Sequence, residues 1–130
     1  MSGEPILVVD DSPANLKLLS YVLENLGYLV RTAVDADDAL AALTTFKPRL
    51  ILLDIQLPGM DGLTLARLLK SDPQNSGMLI VAVTASAMKG DEEKAVDAGC
   101  DGYVTKPIDT RTLPQLIASY LQAPASQAKP

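Results

Sequence analysis

The sequence predicts an α/β domain built on a doubly wound, five-stranded parallel sheet with helices on both faces. Five short apolar runs, residues 5–9, 29–33, 50–54, 79–83 and 102–105, have the length of strands buried on both sides. Stretches with helical spacing separate them, and strict alternation of strand and helix implies parallel pairing through right-handed crossovers. A chain of 130 residues is about one ordinary domain and buries roughly two-thirds of its extended surface on folding.

The first strand, Ile6-Leu7-Val8-Val9, stops on Asp10-Asp11. Ser12-Pro13 then opens a helix, serine as cap and proline at the first helical position. Leu16, Leu19, Val22, Leu23 and Leu26 continue it until Gly27. After the second strand, Asp35 with Asp38 opens a helix carrying Ala39, Leu40 and Leu43. The third strand stops on Asp54, and Asp61-Gly62 leads into a helix from Leu63 to about Lys70, ended by Asp72-Pro73. Residues 87–98 form the fourth helix and Leu113 to Leu121 the core of the fifth. Pro114 breaks a hydrogen-bond ladder unless it lies in the first turn, so the fifth helix begins late, near Thr110 to Thr112. The domain therefore spans 1–122, and the patternless, proline- and alanine-rich segment 123–130 is a frayed tail.

Composition removes several functions. There is no histidine, so histidine-based nucleophilic catalysis, the common zinc sites and a phosphohistidine relay are all excluded within this chain. Cys100 stands alone, which excludes an internal disulfide and a paired-cysteine metal site, and it reads as a small buried side chain. A net charge of −5 without a basic stripe argues against nucleic acid. Mean hydropathy is +0.17, yet no apolar run approaches the ~20 residues of a membrane helix. The amino-terminal residues lack the pattern of a secretory signal, so the cytoplasm is expected.

In a parallel sheet all strands end on one edge, where ligands bind at the switch of strand order. Asp10, Asp11, Asp54, Thr84 and Lys106 all fall at that edge. Two like charges about 4 Å apart repel by roughly 4 kcal/mol at an effective dielectric near 20, so the acids require a cation among them. Ser12 already caps the first helix, which leaves Asp10 and Asp11 for metal binding. Asp54 has no helix to cap, because its loop runs on through Pro58 and Gly59, and it reads as a nucleophile. Thr84 or Lys106 alone would be an ordinary strand-end residue; the constellation gives them a role. Three carboxylates and one ammonium approach neutrality with one Mg²⁺, a hard cation that prefers oxygen.

These residues resemble a family. Asp10-Asp11, the string Asp54-Ile55-Gln56-Leu57-Pro58-Gly59-Met60-Asp61-Gly62, Thr84-Ala85 and Lys106-Pro107 are similar to the receiver domain of two-component response regulators, over residues 5 to about 121. Met88-Lys89-Gly90-Asp91-Glu92-Glu93 looks more like stand-alone cell-cycle regulators and hybrid-kinase receivers than transcription factors. The resemblance implies the flavodoxin-like strand order 2-1-3-4-5 and a phosphoryl group on Asp54, received from a histidine kinase or histidine phosphotransfer protein. It implies Mg²⁺ bound directly by Asp11 and Asp54, through water by Asp10, and by the Gln56 main-chain carbonyl. Lys106 and Thr84 serve the phosphoryl group, and Thr84 with Tyr103 switches the face formed by the fourth helix, fifth strand and fifth helix toward a protein partner. A cis peptide between Lys106 and Pro107 is also implied, with Gln56 and Ser86 flanking the path of hydrolytic water. One alternative is the same module within a hybrid kinase or longer regulator. A remote one is an aspartyl-phosphate phosphohydrolase of the haloacid dehalogenase type, whose second aspartate lies two residues beyond the nucleophile, whereas Asp10 is followed by Asp11-Ser12.

Overall fold

The five runs form one parallel sheet because the central ones are hydrophobic on both faces and each is followed by a helix. In a computed structural model of the chain, residues 3–57, 59–75, 77–84, 90–106 and 108–122 are described. The strands are β1 (Pro5–Val9), β2 (Leu29–Ala33), β3 (Leu50–Asp54), β4 (Leu79–Thr84) and β5 (Gly102–Thr105). The helices are α1 (Pro13–Asn25), α2 (Ala36–Ala42), α3 (Gly62–Lys70), α4 (Asp91–Asp97) and α5 (Leu113–Gln122), with a short 3₁₀ turn at Pro73–Asn75. The sheet order is β2-β1-β3-β4-β5, so the chain reverses direction across the sheet between β1 and β3.

Successive side chains of a strand point to opposite faces, and the core divides accordingly. Ile6, Val8, Leu50, Leu52, Val81 and Val83 pack with α1 and α5 through Leu16, Leu19, Leu23, Leu113 and Ile117. Leu7, Val9, Ile51, Leu53 and Ile80 pack on the other face against Ala36 and Ala39 of α2 and Leu65, Ala66 and Leu69 of α3. β1 and β3 lie in the middle and are almost wholly buried, whereas the edge strand β2 exposes Leu29, Arg31 and Thr32.

Side-chain caps start three helices where the sequence placed them. Ser12 Oγ accepts from the Asn15 N–H, Asp35 Oδ1 from the Asp38 N–H, and Asp61 Oδ1 from the Thr64 N–H. Each such cap contributes about 1 kcal/mol. Two helix starts differ from expectation. The expected fourth helix, 87–98, is not continuous: Gly90 takes φ +98 and α4 begins only at Asp91, with no side-chain cap. Residues 85–89, which include Ser86, Met88 and Lys89, lie outside the described residues. α5 begins at Leu113 and not at 110–112, because Thr112 N–H and Leu113 N–H both donate to the Asp109 carbonyl and make a turn there. Pro114 is the second residue of α5, where a missing N–H costs no helical bond. The tail 123–130 also lies outside the described residues. Among the described residues no helix is long and apolar enough to cross a membrane.

Candidate functional site

The register carries two acids to the same level. β1 and β3 pair Ile6 with Leu50 and Val8 with Leu52, so Asp10 and Asp54, each two residues further on, emerge side by side. β4 pairs with β5 through Thr84 and Thr105, and the Lys106 N–H donates to the Thr84 carbonyl at 2.7 Å. That bond extends the ladder by one step and sets the lysine next to the threonine at the same edge.

Carboxylate oxygens of Asp10, Asp11 and Asp54 lie within 4.8 Å of one another. Asp10, Asp54 and Thr84 are only 3%, 2% and 1% exposed, while Asp11 faces solvent. Lys106 Nζ lies 2.8 Å from Asp54 Oδ2 and 3.3 Å from Asp10 Oδ2. Burial by itself pushes the Lys106 ammonium down. The hydrogen bond that Lys106 donates to Asp54, the charges of Asp54 and Asp10 and the bond donated to Asp10 outweigh it and hold the group above its ordinary value. The lysine is therefore a fixed cation.

The two buried acids also accept hydrogen bonds from their own loops. Asp10 Oδ1 accepts from the Ser12 N–H at 2.8 Å and Oδ2 from Asn15 Nδ2 at 3.3 Å. Asp54 Oδ1 accepts from the Gln56 N–H at 2.9 Å. Both acids thus brace their own loops, a task that the sequence reading did not give them. Among the described residues no buried side-chain nitrogen or oxygen lacks a hydrogen-bond partner.

Gly62 holds the loop after Asp54 in place. A Cβ on Gly62 would collide with the Asp54 carbonyl oxygen and the Ile55 Cα, and the Gly62 N–H donates to the Ile55 carbonyl. Glycine follows Asp61 because the start of α3 presses directly on the main chain of the candidate nucleophile. The sequence showed the Asp-Gly pair only as a helix start.

Asp10, Asp11, Asp54, Thr84 and Lys106 converge as expected from the strand ends. Gln56 contributes its main chain to the Asp54 loop and exposes its side chain. Tyr103 stands apart: it lines a cavity of about 220 Å³ with Val96, Cys100, Asp101, Gly102 and Tyr120, between α4 and α5. Pro107 and Ser86 lie outside the described residues. Asn15 is the residue that sequence reasoning missed. Its only signal was its place three residues after Ser12, which reads equally well as part of a helix start.

An all-oxygen set of three acids beside one ammonium suits a hard divalent cation. It also suits a reaction that builds negative charge on transferring oxygens. Known proteins share this arrangement of chain. The chain is 39% identical over 116 residues to the polar-differentiation response regulator DivK of Brucella anthropi, covering 89% of this chain and 94% of that protein. A CheY-like response regulator receiver domain protein from Methanospirillum hungatei superposes with a TM-score of 0.86 at 34% identity, covering 98% of each chain. The receiver domain of a sensor histidine kinase from Pseudomonas aeruginosa, with a magnesium ion coordinated in its active-site cleft, superposes with a TM-score of 0.83 at 30% identity. That match covers 93% of this chain and 99% of the other. Residues 6–118 match the response regulator receiver domain, and the chain belongs to that family of two-component signalling domains.

Proposed function

We propose that this chain accepts a phosphoryl group on Asp54 from a phosphohistidine of a histidine kinase or phosphotransfer protein, in a Mg²⁺-dependent reaction. The observation that carries the reading is the convergence of three carboxylates within 4.8 Å of one another, two of them on Lys106, at the carboxyl edge of the sheet. The magnesium in the cleft of the Pseudomonas receiver supports the choice of ion. Asp11 and Asp54 would hold Mg²⁺ directly, Asp10 through water, and the Gln56 main-chain carbonyl would add a ligand. When bound, the ion supplies positive charge opposite the oxygens of the transferring group.

An Asp54 oxygen attacks phosphorus. The new O–P bond forms as the donor N–P bond breaks, and the electron pair leaves with the imidazole nitrogen. The donor histidine belongs to the partner, since this chain has none. Lys106 then stabilises a phosphoryl oxygen, and the Thr84 hydroxyl donates to another. Because Lys106 N–H is bonded to the Thr84 carbonyl, movement of either residue is felt by the other. Tyr103 belongs to β5 and lines the cavity between α4 and α5, where a rearrangement would reach a downstream protein. Such a domain signals and turns over only its own phosphoryl group. Its setting would be the cytoplasm, as a separate protein or as a module of a longer regulator.

Mass spectrometry after incubation with acetyl phosphate and Mg²⁺ tests the assignment. A single added phosphoryl group is expected, absent from Asp54→Asn. Incorporation that persists in the variant would overturn the choice of nucleophile.

A further inference from the structure

We propose that Asn15 is a positioning residue for Asp10, holding that carboxylate in place for the cation site and for the moment when Lys106 turns to the phosphoryl group. The inference rests on the reading of the acidic cluster as a Mg²⁺ site. Asn15 is the third residue of α1, the place where an acceptor side chain ordinarily reaches back to the N–H of the capping residue. Here that N–H is already taken, because Ser12 donates it to Asp10 Oδ1 at 2.8 Å. Asn15 instead presents its donor end, Nδ2, to Asp10 Oδ2 at 3.3 Å.

The chemistry explains why an amide serves here and a carboxylate does not. Asp10 is almost fully buried, and Oδ2 has two donors, Asn15 Nδ2 and Lys106 Nζ, each at 3.3 Å. Lys106 is shared with Asp54 at the shorter distance of 2.8 Å. Once Lys106 follows the new phosphoryl oxygens, Asp10 Oδ2 loses the lysine, and the neutral amide of Asn15 remains to orient it. Residues that orient the groups around a metal commonly alter its affinity by about tenfold or more.

Two variants separate this role from simple helix capping. An acid in the first helical turn is favourable because of the helix dipole, so a capping role makes Asn15→Asp at least as stable as Asn15→Ala. The positioning role places a new negative charge against Asp10 Oδ2 and reverses the order. In chelator-treated protein at neutral pH, Asn15→Asp should melt at least about 3 °C below Asn15→Ala. Calorimetric titration should show Mg²⁺ binding to Asn15→Ala weakened by about tenfold, with the fold intact by circular dichroism. An Asn15→Asp midpoint at or above that of Asn15→Ala, or wild-type Mg²⁺ affinity in Asn15→Ala, would overturn the proposal. If the wild-type protein itself bound no Mg²⁺, the metal reading would fall, and the melting order alone would decide whether Asn15 positions Asp10.

Discussion

Two lysine–aspartate contacts sit at opposite ends of the same sheet and have opposite characters. At the amino edge Lys70 Nζ lies 2.8 Å from Asp101 Oδ2 and donates to the Met78 carbonyl at 2.8 Å, while Asp101 Oδ2 also accepts from the Ile80 N–H. One cation meets one anion, and the spare valences go to main chain. At the carboxyl edge one cation, Lys106, meets two buried acids with a third nearby. The first contact is closed: it ties α3 to the starts of β4 and β5. The second leaves negative charge over, and that excess is what a metal ion and a phosphoryl chemistry can use. Residue types alone would not separate the two, but stoichiometry and burial do.

Removing the cation from each pair should break the comparison most visibly at the carboxyl edge. Lys106→Met leaves Asp54 and Asp10 buried against each other, and loss of one partner from a buried pair costs about 3–5 kcal/mol. Urea denaturation of the metal-free proteins measures this, and Mg²⁺ should restore part of the loss by binding only the folded state. A loss under about 1 kcal/mol would mean that the acids do not depend on the lysine. The same variant has a signature in pH. A lysine held above its ordinary 10.5 stabilises the fold fully below that value, and the contribution is lost as pH rises through the folded-state value. The wild-type protein should therefore lose stability above about pH 10.5 more steeply than Lys106→Met. Tyr28, Tyr120 and Cys100 are also raised by burial and give both proteins a common alkaline decline.

Lys70→Met should cost less, about 1 kcal/mol, because the pair is partly exposed and Asp101 keeps the Ile80 N–H. Mg²⁺ should recover none of it. Recovery by the ion would show that the two ends of the sheet are coupled. The smallest effect, and of opposite sign, is expected from Asp11→Ala: relief of repulsion should stabilise the metal-free protein by about 0.5–1 kcal/mol. The gain should reverse when Mg²⁺ is present, since a ligand has been lost. A less stable metal-free variant would contradict the description of the cluster as charge in excess.

Most of the architecture was legible because the strands are buried on both faces and so read as unbroken apolar runs. Even β2, with Arg31 and Thr32 exposed, was read as a strand at 29–33 within the alternation of strand and helix. The strand-end acids were legible for a related reason, since Asp10 and Asp54 interrupt hydrophobic runs where a neutral residue would cost less. Asn15 was not legible. Its identity suits a helix start, and only the three-dimensional fact that Asp10 Oδ1 already holds the Ser12 N–H shows which end of the amide is in use. The reading of a fourth helix over 87–98 missed the left-handed φ of Gly90, a backbone property that a glycine permits without announcing. Cys100, read as a small buried side chain, is only half-buried, and burial pushes the thiol up to about 11.

Gly90 bears on compliance. α1, α2 and α3 each begin on a side chain that clamps the first turn, so displacing their starts means breaking a cap. α4 has seven residues and begins on a left-handed glycine without such a clamp. Of the four helices compared, it alone can be displaced at its start without breaking a side-chain cap. The fold thus pairs a corner tied by side-chain bonds at Asp10 and Asp54 with a helix start held by main chain, through the Lys94 N–H on the Gly90 carbonyl.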